Sequence, residues 1–130
     1  MKLDPDARYA DTHEWAKKDG DLFVVGITDY AQGLLKDIVF VEMPSEGSTF
    51  QKGEKVCEIE SVKAVAELKM PISGEIVEIN EELEDDAEPI NDDPYGDGWF
   101  FKVKASNPDE FNELLSPEEY EKVVEEEKDD

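Results

Sequence analysis

"EIESVKAVAEL", residues 58–68, reads nearly the same from either end, with Lys63 close to its centre. Glu-Ile-Glu-Ser leads in and Ala-Val-Ala-Glu-Leu leads out, so the stretch reads as two strands folded back on each other. Its centre is anomalous. A two-residue hairpin loop favours Asn-Gly or Asp-Gly, which tolerate φ > 0, whereas Val62-Lys63 offers a β-branched residue and a lysine. With these two at the tip, one face pairs Ser61 with Ala64, Ile59 with Ala66 and Cys57 with Leu68, all small or apolar. The other pairs Glu60 with Val65, Glu58 with Glu67 and Val56 with Lys69. A slip of one residue would mix the faces, so the pattern specifies this register. It points Cys57 inward as core filler rather than as a redox group. It also sets Glu58 against Glu67 at some cost, because like charges directly opposite repel.

Strand and turn signals extend on both sides. Residues 13–17 and 22–27 flank Asp19-Gly20, a two-residue hairpin signal. Residues 28–36 read as a short helix capped by Thr28 or Asp29. A β-rich run over 37–43 ends at Pro44, and shorter strands follow up to Glu81. Residues 81–97 read as an acidic loop punctuated by Pro89 and Pro94, and 99–104 as a further strand. Met43-Pro44-Ser45-Glu46-Gly47 returns as Met70-Pro71-Ile72-Ser73-Gly74, each time closing a strand, which suggests two similar β halves interleaved around the palindrome. Asn107-Pro108-Asp109-Glu110 and Ser116-Pro117-Glu118-Glu119 each supply a cap, a proline at the first helical position and a glutamate at the third. Phe111, Leu114 and Leu115 share one helical face, as do Tyr120, Val123 and Val124, so two short helices pack outside the β core. The acidic end, 125–130, is expected to fray.

Composition limits what such a chain can do. Its 130 residues suit one domain with a core, and 36 acidic against 13 basic residues give a formal charge of −23. That field repels nucleic acid and anionic membranes; it serves solubility or attracts basic protein surfaces. One cysteine and one histidine exclude a disulfide framework and the usual zinc patterns. The N-terminus, Met-Lys-Leu-Asp-Pro-Asp, lacks the apolar stretch of a signal peptide, and no segment approaches a membrane span. A reducing, soluble compartment is expected. There is no Ser-His-Asp set, metal cluster or phosphate loop, and His13, beside Glu14 and Trp15, reads as structural. On spacing alone Lys63 is either an ordinary solvated lysine or a residue presented on a rigid turn for modification by another enzyme. It has no pocket that would desolvate its amine for catalysis.

The motif "ESVKA" at 60–64, with Gly53 upstream and "PISG" at 71–74 downstream, resembles the lipoyl-carrier hairpin. "HEW" at 13–15, "VGITDYAQ" at 25–32, "DIVFVEMP" at 37–44 and "NDDPYGDGWFFKVK" at 91–104 extend the resemblance over nearly the whole chain, to the H proteins of the glycine cleavage system. The resemblance implies a mainly β fold: a flattened lipoyl/biotinyl-type β barrel (a barrel-sandwich hybrid) with short peripheral helices at the C-terminus. One domain spans 1–130, with a core at about 37–104, an N-terminal hairpin at 13–27 and C-terminal helices at about 108–127. It implies lipoic acid in amide linkage on Lys63, with Glu60, Ser61, Val62 and Ala64 recognised around the turn. Lys69-Met70 is similar to the Met-Lys-Met of biotin carriers, but Lys69 lies mid-strand in the hairpin register and not on a turn. Lys36 stands where the family commonly has glycine.

The implied function is a shuttle rather than an enzyme. A pyridoxal-phosphate glycine decarboxylase loads the arm with an aminomethyl group, and a tetrahydrofolate-dependent aminomethyltransferase unloads it. Dihydrolipoyl dehydrogenase then reoxidises it. A lipoyl ligase or transferase attaches the cofactor. The implied carrier is a cytoplasmic monomer without nucleic-acid or membrane partners. An alternative role is a carrier that relays lipoyl groups to other proteins or serves another oxidative pathway.

Overall fold

The computed structural model describes residues 1–128. Three strands open the chain: β1 (Ala7–Tyr9), β2 (Glu14–Asp19) and β3 (Leu22–Ile27). Helix α1 (Asp29–Leu35) leads to β4 (Ile38–Val41), β5 (Thr49–Phe50), β6 (Lys55–Ser61), β7 (Val65–Lys69) and β8 (Gly74–Ile79). Two short helices, α2 (Glu82–Asp85) and α3 (Glu88–Asp92), precede β9 (Phe101–Ala105), and α4 (Asp109–Glu113) and α5 (Pro117–Lys128) close the chain. The strands form a six-stranded sheet, β1-β2-β3-β9-β8-β5, and a three-stranded sheet, β4-β6-β7, in which every neighbouring pair is antiparallel. This is a mainly β fold of two sheets with short C-terminal helices, consistent with a flattened barrel-sandwich.

The repeated Met-Pro segments do the same job twice. One carries the chain from β4 to β5 and the other from β7 to β8, each crossing from the small sheet to the large one. Strands β5 and β8 then pair, interlocking the halves. Between the sheets lies the main core, including Val25, Ile59, Leu68, Ile76 and Phe101. A second cluster, Tyr9, Trp15, Tyr120 and Val124, holds α5 to the end of the large sheet. There the Tyr9 and Tyr120 rings stack with centroids 4.7 Å apart.

Local chemistry accounts for most boundaries. The first hairpin turns on Gly20-Asp21, one residue beyond the Asp19-Gly20 expected, because Asp19 still pairs with Leu22 and Gly20 takes φ +61°. Gly26 lies against the Trp15 ring, where an added Cβ would sit 2.8 Å from its atoms. Thr28 caps α1, its Oγ1 accepting from Ala31 N–H at 3.2 Å. Ser116 and Glu119 form the expected capping box: Ser116 Oγ accepts from Glu119 N–H at 3.2 Å, and Glu119 Oε1 from Ser116 N–H at 2.9 Å. The companion box at Asn107 does not close. Glu110 instead accepts from Ser73 N–H at 2.8 Å and Ser73 Oγ at 3.2 Å, tying α4 to the second Met-Pro segment.

The acidic stretch over 81–97 is not wholly loop, because buried Leu83 and Ile90 anchor α2 and α3 to the core. Helix α5 continues through Lys128, into the region expected to fray; residues 129–130 lie outside the described residues. None of the described helices is long and apolar enough to cross a membrane.

Candidate functional site

The β6–β7 register is the one the palindrome specifies: Glu60 pairs with Val65, Ile59 with Ala66, Glu58 with Glu67 and Cys57 with Leu68. Only its far end differs. A bulge at Val56 brings Lys55, not Val56, opposite Lys69. Lys55 Nζ consequently sits 3.7 Å from Glu58 and 3.6 Å from Glu67, offsetting the repulsion between the facing glutamates. Cys57 is fully buried, and burial, reinforced by Glu42 and Glu14, pushes its thiol up to about 12, so it is an inert core side chain.

The turn itself resolves the Val-Lys anomaly. Neither Val62 nor Lys63 adopts a positive φ, so this is not the mirror-image turn that would demand glycine or asparagine. Buried Ser61 closes it instead. Its N–H donates to Ala64 O at 2.8 Å, while its hydroxyl accepts from Ala64 N–H at 3.0 Å and lies 3.1 Å from Ala64 O. Val62 N–H donates to Asp37 O at 2.9 Å, pinning the tip to the chain before β4. That anchor is itself held: Asn91 Oδ1 accepts from Ile38 N–H at 3.0 Å, and its amide donates to Lys36 O at 2.6 Å and Gln32 Oε1 at 2.8 Å. Lys63 therefore projects into solvent from a turn braced by α1 and α3. Of the other residues expected around the lysine, Glu60, Val62 and Ala64 are exposed, while Ser61 works from beneath.

Beside the hairpin is an apolar cleft of about 150 Å³, walled by Ile27, Leu34 and Leu35 on one side and Ile59 and Ala66 on the other. Glu14 is at its edge, 2% exposed. One carboxylate oxygen accepts from Lys69 N–H of β7 at 3.1 Å and the other from the Thr12 hydroxyl. Burial nevertheless raises its pKa to about 7, against the lowering effect of those hydrogen bonds. The cleft thus carries a titratable carboxyl in an apolar wall. Sequence reading overlooked Glu14 as a site residue. The available signal was strand alternation, which places it on the same inward face as Ala16.

His13 borders the cleft at φ +78°. Its Nδ1 lies 2.7 Å from Tyr120 Oη, which lies 2.7 Å from Thr28 Oγ1, and its Nε2 meets Glu127 at 2.9 Å. With the neutral ring protonated on Nε2, donors run unbroken from Thr28 through Tyr120 to His13 and on to Glu127. The histidine joins α1, α5 and the cleft mouth. A wider hollow of about 310 Å³, bordered by Trp15, Lys17, Trp99 and Lys102, is lined by none of the tip residues. Among the described residues no cluster of His, Cys, Asp and Glu is placed to hold a metal ion.

A family profile described as "Glycine cleavage H-protein" matches residues 7–127. The chain is 54% identical over 123 residues to a glycine cleavage system H protein from Alteromonas mediterranea, covering 94% of this chain and 95% of the relative. It is 53% identical over 118 residues to a probable glycine cleavage system H protein from Aeropyrum pernix, covering 91% and 82%. A crystal structure of a glycine cleavage system H protein from Mycobacterium marinum superposes with a TM-score of 0.83 at 40% identity, covering 91% of this chain and 95% of that one.

Proposed function

The chain belongs to the glycine cleavage H-protein family, and from that membership we propose that it carries lipoic acid in amide linkage on Lys63. The observation that supports this most directly is the turn: an exposed primary amine held by Ser61 and Asp37 on a tip that needs neither glycine nor asparagine. Bound there, the lipoyl group would supply disulfide–dithiol chemistry for carrying the aminomethyl unit of glycine. The chemistry belongs to this cofactor and to the partner enzymes, and the chain supplies position and shelter.

Its own residues divide that task. Lys63 Nζ holds the arm, and Ser61, Ala64 and Asp37 fix the direction in which it leaves. Glu60, with Val62 beside it, is the feature read by the modifying enzyme. The cleft beside the hairpin is within reach of the arm, because three residues of strand at about 3.3 Å each separate Ala66 from the tip. Inside it, Ile27, Leu34 and Leu35 exclude water. Glu14, at the edge of the cleft, would offer a carboxyl to an amine brought there by the arm. The partners that follow are a glycine decarboxylase, a tetrahydrofolate-dependent aminomethyltransferase and dihydrolipoyl dehydrogenase, with a lipoyl ligase or transferase to load Lys63. The chain acts as a monomeric cytoplasmic carrier with no catalytic residue of its own.

The experiment has two stages. After incubation with a lipoyl ligase, intact mass and peptide mapping should find one lipoyl group, on Lys63; a label on Lys69 or on no lysine overturns the assignment. The loaded protein should then support release of labelled carbon dioxide from carboxyl-labelled glycine by a purified glycine decarboxylase. Release no greater than that of a Lys63→Ala control would favour a carrier that relays lipoyl groups or serves another pathway.

A further inference from the structure

Six large apolar side chains are exposed among the described residues, and four of them, Val39, Phe40, Val62 and Val65, belong to β4 or to the tip and flank of the β6–β7 hairpin. Val62 is 75% exposed, Val65 59% and Phe40 50%. Phe40 and Val65 pair with Glu60 from opposite sides, so the two flank one glutamate in a single row on the outer face, at about 5 Å per step. Exposed Glu42, Glu58 and Glu67 adjoin this band, Glu42 through its N–H to Glu58 O at 3.0 Å. The face is an apolar strip bordered by carboxylates, and its complement is an apolar patch with a basic rim.

We infer that Phe40, Val62 and Val65 form the docking surface for the enzyme that acylates Lys63. The inference rests on Lys63 as the attachment site. An enzyme acting on the far end of a long arm can stand away from the carrier. One that forms the amide must bring its reaction centre within bonding distance of Nζ, and so must cover the side chains around the tip. Amide formation needs an activated acyl donor, an acyl adenylate or acyl thioester. The deprotonated Nζ attacks the acyl carbonyl, the N–C bond forms, and the bond from carbon to the leaving oxygen or sulfur breaks. The second amine proton departs to base, with no change of oxidation state. Burial of an apolar side chain against the partner is where such an interface gains its affinity, while the carboxylates orient the approach.

The test uses the full chain, a purified lipoate ligase, ATP and lipoate, with acylation followed by intact mass. The Phe40→Ser/Val65→Ser double variant should lose about tenfold in kcat/KM for acylation, carried mainly in KM, and Phe40→Leu should retain the wild-type rate. Thermal melts establish that each variant is folded; should the double variant not fold, Val65→Thr, close to valine in shape, is scored in its place. Wild-type acylation kinetics in the folded variant overturn the inference while leaving Lys63 as the site. So does a loss confined to glycine decarboxylation by the variant loaded with excess ligase, since the surface would then serve a different partner. A wild-type chain that is not acylated fails at the first step, removing Lys63 as the site and this surface with it.

Discussion

Lys69 N–H, in the middle of β7, donates to the buried carboxylate of Glu14 across 3.1 Å, joining the N-terminal hairpin to the lysine hairpin through a group with a pKa of about 7. Between pH 4.5, its ordinary value, and about 7, the folded chain keeps a proton on Glu14 that the unfolded chain has shed. Stability therefore falls as pH rises through that window, by on the order of 3 kcal/mol for a shift of this size. Glu14→Gln keeps an acceptor for Lys69 N–H and cannot ionise. The difference in unfolding free energy between variant and wild type should grow in favour of the variant from pH 4.5 to 8, measured by urea denaturation. A difference independent of pH would mean that Glu14 is not the titrating group.

Lys36 ends α1 at φ +60°, ψ −131°, a conformation that costs a residue with a Cβ about 1–3 kcal/mol. Glycine relieves the strain but gains conformational freedom in the unfolded chain, worth about 0.4–1 kcal/mol the other way. Lys36→Gly should thus stabilise the protein by about 1 kcal/mol, while Lys36→Ala, which keeps the strain, should not. A shift in the denaturation midpoint at constant slope reads the change. Equal effects of the two substitutions would assign it to loss of the lysine side chain.

What could be read in advance was local. The hairpin register, the α1 cap (Thr28 of the two candidates, Thr28 and Asp29) and the Ser116–Glu119 box depend on residues a few positions apart, and each formed within its pattern. The register slipped only at Val56, where a bulge lets Lys55 meet two glutamates. The resemblance carried the rest of the fold. Features made by distant segments were not legible. Glu110 leaves its expected cap for Ser73, and Val62 N–H finds Asp37 O, because the tertiary fold supplies a partner that local spacing does not encode. Strand β1 is three residues long, too short for any period, and is recognisable only by its pairing with β2 and by Tyr9 stacked on Tyr120.

Glu60 is exposed on the outer face, three residues before Lys63, in the ladder between Phe40 and Val65. Glu60→Ala should slow lipoylation while leaving the thermal midpoint within a few degrees of wild type. An unchanged rate in the folded variant would remove Glu60 from recognition.

Amide formation on Lys63, if it is the attachment site, would make the formal charge of −23 one unit more negative. Association with partners that present basic surfaces should therefore slow as ionic strength rises and the Debye length contracts to about 8 Å at 0.15 M. Loading should not weaken the dependence. Stopped-flow association rates that are insensitive to salt would leave the acidity to solubility alone.

Tyr120 is fully buried, and its hydroxyl lies 2.7 Å from both Thr28 Oγ1 and His13 Nδ1. Glu127, by contrast, meets His13 at 2.9 Å with 42% of its side chain exposed. These contacts belong to one chain of hydrogen bonds, but their energies differ. Tyr120→Phe removes the partner of the buried Thr28 hydroxyl and of the half-buried His13 Nδ1, and should cost about 1–3 kcal/mol. Glu127→Ala removes a solvent-screened pair and should cost less than about 1 kcal/mol. The larger loss also has a place. Thr28 Oγ1 caps α1 at Ala31, and α1 walls the cleft, so the tyrosine variant should speed amide exchange at Ala31 and the glutamate variant should not. Urea denaturation and hydrogen exchange measure the two effects separately. If Glu127→Ala proves the costlier change, the contact with His13 Nε2 holds α5 in place and the buried hydroxyl is incidental.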